Sequence, residues 1–504
     1  MPGQPLVIDG EPLSLDDVEA VARGARSVRL GDAARGAMGR SRAVVEGVAA
    51  GDDAVYGVNT GFGSLANHPI EPAGLREVQL NLIRSHAAGV GAPLAVEVVR
   101  AMMVILAASL SRGASGVRPE LVELIVELLN RGVTPVVPSR GSVGASGDLA
   151  PLAHAALVLL GEGEAVVGER TVPGAEALAT AGLEAIVLEA KEGLALINGT
   201  HMMCAIGALA LCDVRRLGDA AVAAAAMAID ACRATDEFLD ARLHAVRQQP
   251  GQQRVAELLR GHLAGSQIVE DHKTGDPRVQ DPYSLRAAPQ VMGAAMDAVD
   301  WVRGVFEREL GAVTDNPLVF ADTGDVLSGG NFHGMPLAIA LDTLTIALCH
   351  LAGIAERRVN WLLTASDGEN PVNVYLSPKP GLHSGLMIVQ YTAAACCNEL
   401  QTLATPASVA NISTSAGMED YNSMGATAAH QARAAVDLAT QVVAIELLVM
   451  AEAMEYQRPL RSGDGVEQTF KQVRSVVGRL TADRPPAPDI AAIAQLVRSG
   501  AFTS

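Results

Sequence analysis

The sequence predicts a mostly α protein, a long-helix bundle entered through a loop-rich N-terminal region. Two observations carry this expectation. Hydrophobic residues make up 49% of the 504 residues and aromatic residues only 3%. Small apolar side chains suit closely packed helices, whereas a β sandwich draws on aromatic and β-branched residues. Apolar residues also recur at helical spacing over long runs, at 202–234, 286–310, 335–364, 383–403 and 425–457. Alanines spaced like Ala220, Ala223, Ala224 and Ala225 let neighbouring helices approach closely, as a bundle requires.

The rest of the chain fits around those runs. Residues 1–20 are polar, with a helix start at Ser14-Leu-Asp-Asp-Val18. Val133-Thr-Pro-Val-Val-Pro138 is β-branched and proline-punctuated, hence extended, and 152–160 is an Ala/Leu-rich helix. Pro-rich 483–488 links to a short final helix. The expected organisation is one contiguous unit: an N-terminal region over 1–200, a central helical bundle over 201–480 and a tail over 481–504.

Composition narrows the function. A net charge of −18 opposes nucleic acid and anionic membrane surfaces as partners. No apolar run of membrane-span length lacks a charge, and no basic-then-apolar leader opens the chain, so a cytoplasmic protein is expected. The six cysteines form no Cys-x-x-Cys and lie in apolar surroundings, which predicts free thiols. There is no His-Glu-x-x-His and no phosphate loop, and Gly61-Phe-Gly63-Ser-Leu-Ala66 matches a dinucleotide fingerprint only loosely. Neither metal nor nucleotide is expected.

The chemistry centres on Gly141-Ser-Val-Gly-Ala-Ser-Gly-Asp-Leu-Ala-Pro-Leu-Ala-His154. Its Ala145-Ser146-Gly147 can cyclise on itself. The Gly147 nitrogen attacks the Ala145 carbonyl carbon with loss of water. A second water, lost from the Ser146 hydroxymethyl group, leaves an exocyclic methylene. The attack needs an abnormally close backbone approach, which glycine permits. Ala114-Ser115-Gly116 repeats the tripeptide in a turn before the helical pattern 119–130, and there Ser115 is expected only to sit near a helix N-terminus.

Other polar stretches interrupt the apolar pattern. Tyr56 stands in glycine-rich Val55-Tyr-Gly-Val-Asn-Thr-Gly-Phe-Gly-Ser64, either anchoring a turn or serving as a reactive phenol in a mobile loop. His86, in Asn81-Leu-Ile-Arg-Ser-His-Ala-Ala-Gly-Val90, is either a core histidine or a ligand contact. Asn198 breaks the apolar Leu194-Ala-Leu-Ile-Asn-Gly-Thr-His201. Tyr283 and Arg286, three apart in Val279-Gln-Asp-Pro-Tyr-Ser-Leu-Arg286, share a face if that turn is helical, and an arginine fork suits a carboxylate. Glu419 lies in Ser413-Thr-Ser-Ala-Gly-Met-Glu-Asp-Tyr-Asn-Ser-Met-Gly425.

These stretches, with Asn316-Pro317 and Gly329-Gly-Asn-Phe-His-Gly-Met335, resemble in order the motifs of the histidine and aromatic amino acid ammonia-lyases over roughly residues 50 to 425. The resemblance implies the helical fold of that family, with residues 55–64 as its active-site lid. It implies a prosthetic group, 4-methylidene-imidazol-5-one (MIO), formed autocatalytically from Ala145, Ser146 and Gly147. It makes Tyr56 the base for the β-proton and Arg286 the carboxylate clamp. Asn198, Gln280 and Tyr283 complete the polar shell, Glu419 faces the substrate amine, and His86 and Phe332 line the pocket. A homotetramer with shared active sites is implied, the Tyr283–Arg286 loop and Phe332 coming from other subunits than the ring.

Ser85-His86 resembles the pair of the histidine-specific members, so the expected reaction is elimination of ammonia from L-histidine to give trans-urocanate. The alternatives are a tyrosine or phenylalanine ammonia-lyase and an MIO-dependent 2,3-aminomutase. Three positions depart from the expected pattern. Tyr421-Asn422 replaces His-Val after the Glu-Asp pair, and Ala287 stands where cysteine is frequent.

Overall fold

A computed structural model describes residues 4–24, 26–51 and 53–503; the first three residues and Ser504, at the ends of the expected N-terminal region and tail, lie outside that description. The fold is helical, with short strands confined to small sheets. Its long helices are His201–Ala231, Ala288–Glu309, Met335–Thr364, Met387–Leu403 and Gly425–Gln457. Two of the expected runs match to the residue, and the run over 286–310 is broken at Ala287 into Tyr283–Arg286 and Ala288–Glu309.

Contacts group the chain into two compact units. One comprises 1–212, 303–342 and 406–430; the other comprises 213–302, 343–405 and 431–504. In the first, the helix Leu15–Ala22 begins at the expected Ser14. That serine's hydroxyl accepts from the Asp17 N–H at 3.1 Å while the Asp17 carboxylate accepts from the Ser14 N–H at 3.2 Å, a reciprocal cap. The largely apolar helix Val96–Ser111 is buried from Val98 onward, Arg100 included. Val133–Pro135 and Pro138–Arg140 are extended as expected, and each joins a different small sheet. A separate apolar cluster of Val45, Val58, Leu75, Ala190 and Val319 anchors the segment that follows Tyr56.

The second unit packs alanine-rich helix faces, with Ala220 and Ala223 to Ala226 buried. Helices Pro250–Leu263 and Ala288–Glu309 cross so closely at Gly293 that a Cβ there would collide with the Gln252 backbone. Met335–Thr364 and Gly425–Gln457 have the length and apolarity of membrane spans. However, 67% and 78% of their apolar windows are buried inside the protein, as in core helices. All six cysteines are free thiols.

Candidate active site

In the first unit, residues 141–148 fold around Ser142. Its hydroxyl donates to Asp148 Oδ1 at 2.9 Å and accepts from the Gly144 N–H at 3.2 Å. The other Asp148 oxygen accepts from the Met202 and Met203 N–H groups, both at 2.9 Å, at the N-terminus of the helix His201–Ala231. Those otherwise unpaired donors and the helix dipole stabilise a carboxylate there. Complete burial nevertheless wins, pushing the Asp148 carboxyl up to about 6.

Gly147 lies flat against Gly199. The Asp148 N–H donates to the Gly199 carbonyl at 2.7 Å, and the Gly199 N–H donates to the Ser146 carbonyl at 3.2 Å. At φ 76, a Cβ on Gly147 would overlap the Gly199 carbonyl, so only glycine fits. Ala145 is buried and Ser146 is partly open.

A second segment clasps this loop. Met424 N–H donates to the Val143 carbonyl at 2.9 Å, and the Ser423 hydroxyl donates to the Gly144 carbonyl at 3.1 Å. The same segment brings Glu419 to the tripeptide, with Ser146 Oγ donating to Glu419 Oε1 at 3.4 Å. The second Glu419 oxygen accepts from Thr414 Oγ1 at 2.8 Å, inside a turn whose ends pair through both backbones. Asn422, one of the unexpected residues, is fully buried and donates to the Ile412 carbonyl, holding that turn closed.

Tyr56 is half-buried, in a turn tied by Asn59. The Asn59 Oδ1 accepts from the Val55 N–H at 2.8 Å and its Nδ2 donates to the Asp53 carbonyl at 2.9 Å. Burial pushes the phenol above its ordinary value. The Gly63 backbone opposes that rise, and the Glu419 and Asp315 carboxylates reinforce it.

Asn198 ends the short helix Glu192–Ile197 and is buried. Its Nδ2 donates to the Asn316 carbonyl at 2.9 Å, while its Oδ1 has no partner.

His86 is the last residue of the helix Leu75–His86. Its Nδ1 meets the Leu82 carbonyl at 2.8 Å; a carbonyl only accepts, so Nδ1 carries the proton and Nε2 presents a lone pair. The segment just beyond packs on the tripeptide loop, since a Cβ on Gly141 would lie 3.1 Å from Gly89 Cα. Phe332 is partly buried on a loop joined to the Glu419 segment. There His333 Nε2 donates to the Tyr421 carbonyl at 2.9 Å and the two rings stack at 6.5 Å. Tyr421, which also departs from the expected pattern, therefore has a packing role.

The second unit carries Gln280, Tyr283 and Arg286. Tyr283–Arg286 is one helical turn, and the Arg286 guanidinium stacks 4.5 Å above the Tyr283 ring. Arg286 Nε donates to the Asp281 carbonyl at 2.9 Å. Tyr283 lines two cavities of about 670 and 590 Å³, and Gln280 lines the smaller.

The structure thus assembles Ala145, Ser146, Gly147, Glu419, Asn198 and Tyr56 in one unit, with His86 and Phe332 on segments packed against it. Gln280, Tyr283 and Arg286 form a second group. Sequence reasoning passed over Ser142, Asp148, Thr414, Ser423 and the Lys191–Asp315 pair. Only Asp148 carried a signal, an acid directly after the reactive glycine. Ser115 lies just ahead of the helix Pro119–Asn130, as expected, and its hydroxyl is buried with no partner, Arg118 being that helix's cap residue.

The family model for aromatic amino acid lyases matches residues 13–475. A histidine ammonia-lyase of Anaeromyxobacter dehalogenans is 49% identical over 505 aligned residues, covering 99% of each chain. The crystal structure of histidine ammonia-lyase from Trypanosoma cruzi superimposes with a TM-score of 0.92 at 39% identity, covering 99% of this chain and 94% of that one. Tyrosine aminomutase from Streptomyces globisporus gives 0.94 at 34% identity, covering 99% and 97%. Fold and site define the class, a carbon–nitrogen lyase. The full-length matches go further: the chain belongs to the aromatic amino acid lyase family.

Proposed function

We propose that the protein eliminates ammonia from L-histidine to give trans-urocanate, using an MIO ring formed from Ala145, Ser146 and Gly147. The observation that carries this reading is the placement of Ser146 Oγ 3.4 Å from Glu419 in a loop whose glycine is pressed against Gly199. The residues fit such a ring. Gly147 admits no Cβ, and the buried, unpartnered Oδ1 of Asn198 is a polar atom left for the substrate or the ring. Held by Ala145, Ser146 and Gly147, such a ring would supply an electrophilic carbon for the substrate amine, making the nitrogen a better leaving group.

The chain's own residues do the remainder. Tyr56 takes the β-proton through its phenolate oxygen. Arg286 holds the α-carboxylate with its free fork and so fixes which proton faces Tyr56. Tyr283, stacked beneath Arg286, and Gln280 complete that polar wall. Glu419 accepts from the substrate amine. His86 Nε2 accepts from an imidazole N–H, and Phe332 closes the pocket's apolar side. The two groups of residues meet in a cytoplasmic homotetramer whose active sites are shared between chains.

The His86 lone pair also suits a phenol hydroxyl, which keeps tyrosine as a second substrate reading. The test is incubation with histidine, tyrosine and phenylalanine separately, following the unsaturated acids by ultraviolet absorbance and any β-amino acid by chromatography. Urocanate from histidine supports the proposal. Preference for tyrosine, or a β-amino acid product, replaces it with a tyrosine lyase or an aminomutase.

A further inference from the structure

The first unit holds a buried ion pair to which none of these roles is given. Lys191 Nζ lies 2.6 Å from Asp315 Oδ2, and both side chains are withdrawn from solvent. Burying two charges is costly, and the attraction between them offsets that cost only when the geometry is good and further hydrogen bonds are made. Here the further bonds lead to the site. Asp315 Oδ1 accepts from the Asn316 N–H at 2.7 Å and faces Asn198 Nδ2 at 3.4 Å. With the Asn316 carbonyl, it turns the Asn198 amide nitrogen toward residues 315–316. The amide oxygen is the end left unpartnered.

The segment that carries this carboxylate also packs against the residue after Tyr56. That residue, Gly57, is pressed between Leu194 and Pro317: a Cβ on it would lie 2.6 Å from Leu194 Cδ2 and 3.0 Å from Pro317 Cδ. The groups that shift the phenol are its own burial, the Gly63 backbone, and the Glu419 and Asp315 carboxylates.

We propose that Asp315, held by Lys191, is a positioning residue of this site: it fixes which end of the Asn198 amide stays free and supplies fixed negative charge to the surroundings of Tyr56. The inference rests on Tyr56 acting as the base. Two carboxylates beside a phenol keep it protonated in the empty site. The ammonium of an arriving amino acid offsets them, so the base is unmasked when substrate is present, and by linkage substrate binding and phenol ionisation favour each other.

The test replaces the pair together, Lys191→Met with Asp315→Asn, so that no buried charge is left alone. Tyr56 is titrated in substrate-free enzyme by tyrosinate absorbance, as the difference between each protein and its Tyr56→Phe counterpart. The expected result is a fall in the Tyr56 midpoint of roughly 0.5–1 pH unit, the scale of one nearby charge. The acid limb of the activity profile moves down with it, and KM rises. An unmoved Tyr56 midpoint overturns the inference. Failure of the base assignment reads differently, as full activity in Tyr56→Phe with the titration shift intact. Should circular dichroism show the pair variant unfolded, the more conservative pair Lys191→Gln with Asp315→Asn is titrated in the same way, with the same shift expected and an unmoved midpoint again overturning the inference.

Discussion

Ser146 and Glu419 stand 273 residues apart in the chain, and their side chains meet at 3.4 Å. Thr414 grips the other Glu419 oxygen at 2.8 Å, so the carboxylate is oriented from both sides. Ser146→Ala removes the hydroxyl that ring formation must eliminate. Turnover should be abolished, and the mass deficit of two waters should vanish from the intact-protein spectrum. Ser115→Ala, in the second Ala-Ser-Gly, should retain activity and leave stability unchanged or slightly raised, since the Ser115 hydroxyl is buried and unpaired. Equal behaviour of the two variants would reassign the electrophile.

Tyr56 sets the pH dependence. Its phenol is pushed above the ordinary value of 10.0 by burial and by two carboxylates. The phenolate fraction therefore grows with pH throughout the working range, and kcat/KM should climb from neutral toward alkaline pH. Tyr56→Phe should lower kcat by about 100-fold or more, the contribution of a positioned general base. A profile with its maximum on the acid side argues against this base.

Asp148 links the reactive loop to the helix behind it. Asp148→Ala strands the Met202 and Met203 N–H groups and the Ser142 hydroxyl, at a cost of roughly 2–4 kcal/mol. Thermal unfolding should show the loss, accompanied by incomplete ring formation. The carboxyl's value is raised from 3.8 to about 6 in the fold. Between those values the folded chain binds the extra proton, so this group's contribution to stability falls as pH rises through that window and is flat above it. Asp148→Asn should remove that slope from the curve of melting temperature against pH.

Arg286→Lys exchanges a planar fork for a point charge and loses the stacking on Tyr283. The loss of a charge-assisted hydrogen bond should raise KM by roughly 10–100-fold. Steady-state kinetics with histidine, compared with the amine lacking its carboxylate, checks it: the variant should discriminate less between the two.

Much of the site was legible because its chemistry is local. The reactive tripeptide, the glycines that frame it and the one-turn spacing of Tyr283 and Arg286 are short-range patterns, and a turn of helix stacks residues three apart. The partners of these groups were not legible. Thr414 on Glu419, Ser423 on Gly144 and Asp315 on Asn198 are common residue types whose importance arises only from which segment lies beside which. Ser115 sits ahead of a helix as the local pattern implies, but its complete burial was not legible, because burial depends on what packs over the turn.

By itself the sequence determined the helical class, because apolar periodicity at 335–364 and 425–457 leaves a chain little choice but amphipathic or buried helices. It also singled out Ala145-Ser146-Gly147 as the source of the proposed electrophile, since only this tripeptide stands in the right company of glycines. The tertiary structure alone decided which side chains share a dielectric environment. Asp148 rises to about 6 and Tyr56 above 10.0 because folding strips water from them and sets carboxylates nearby. Desolvation and Coulomb forces depend on distance in space, and a linear sequence does not encode that distance for residues hundreds of positions apart.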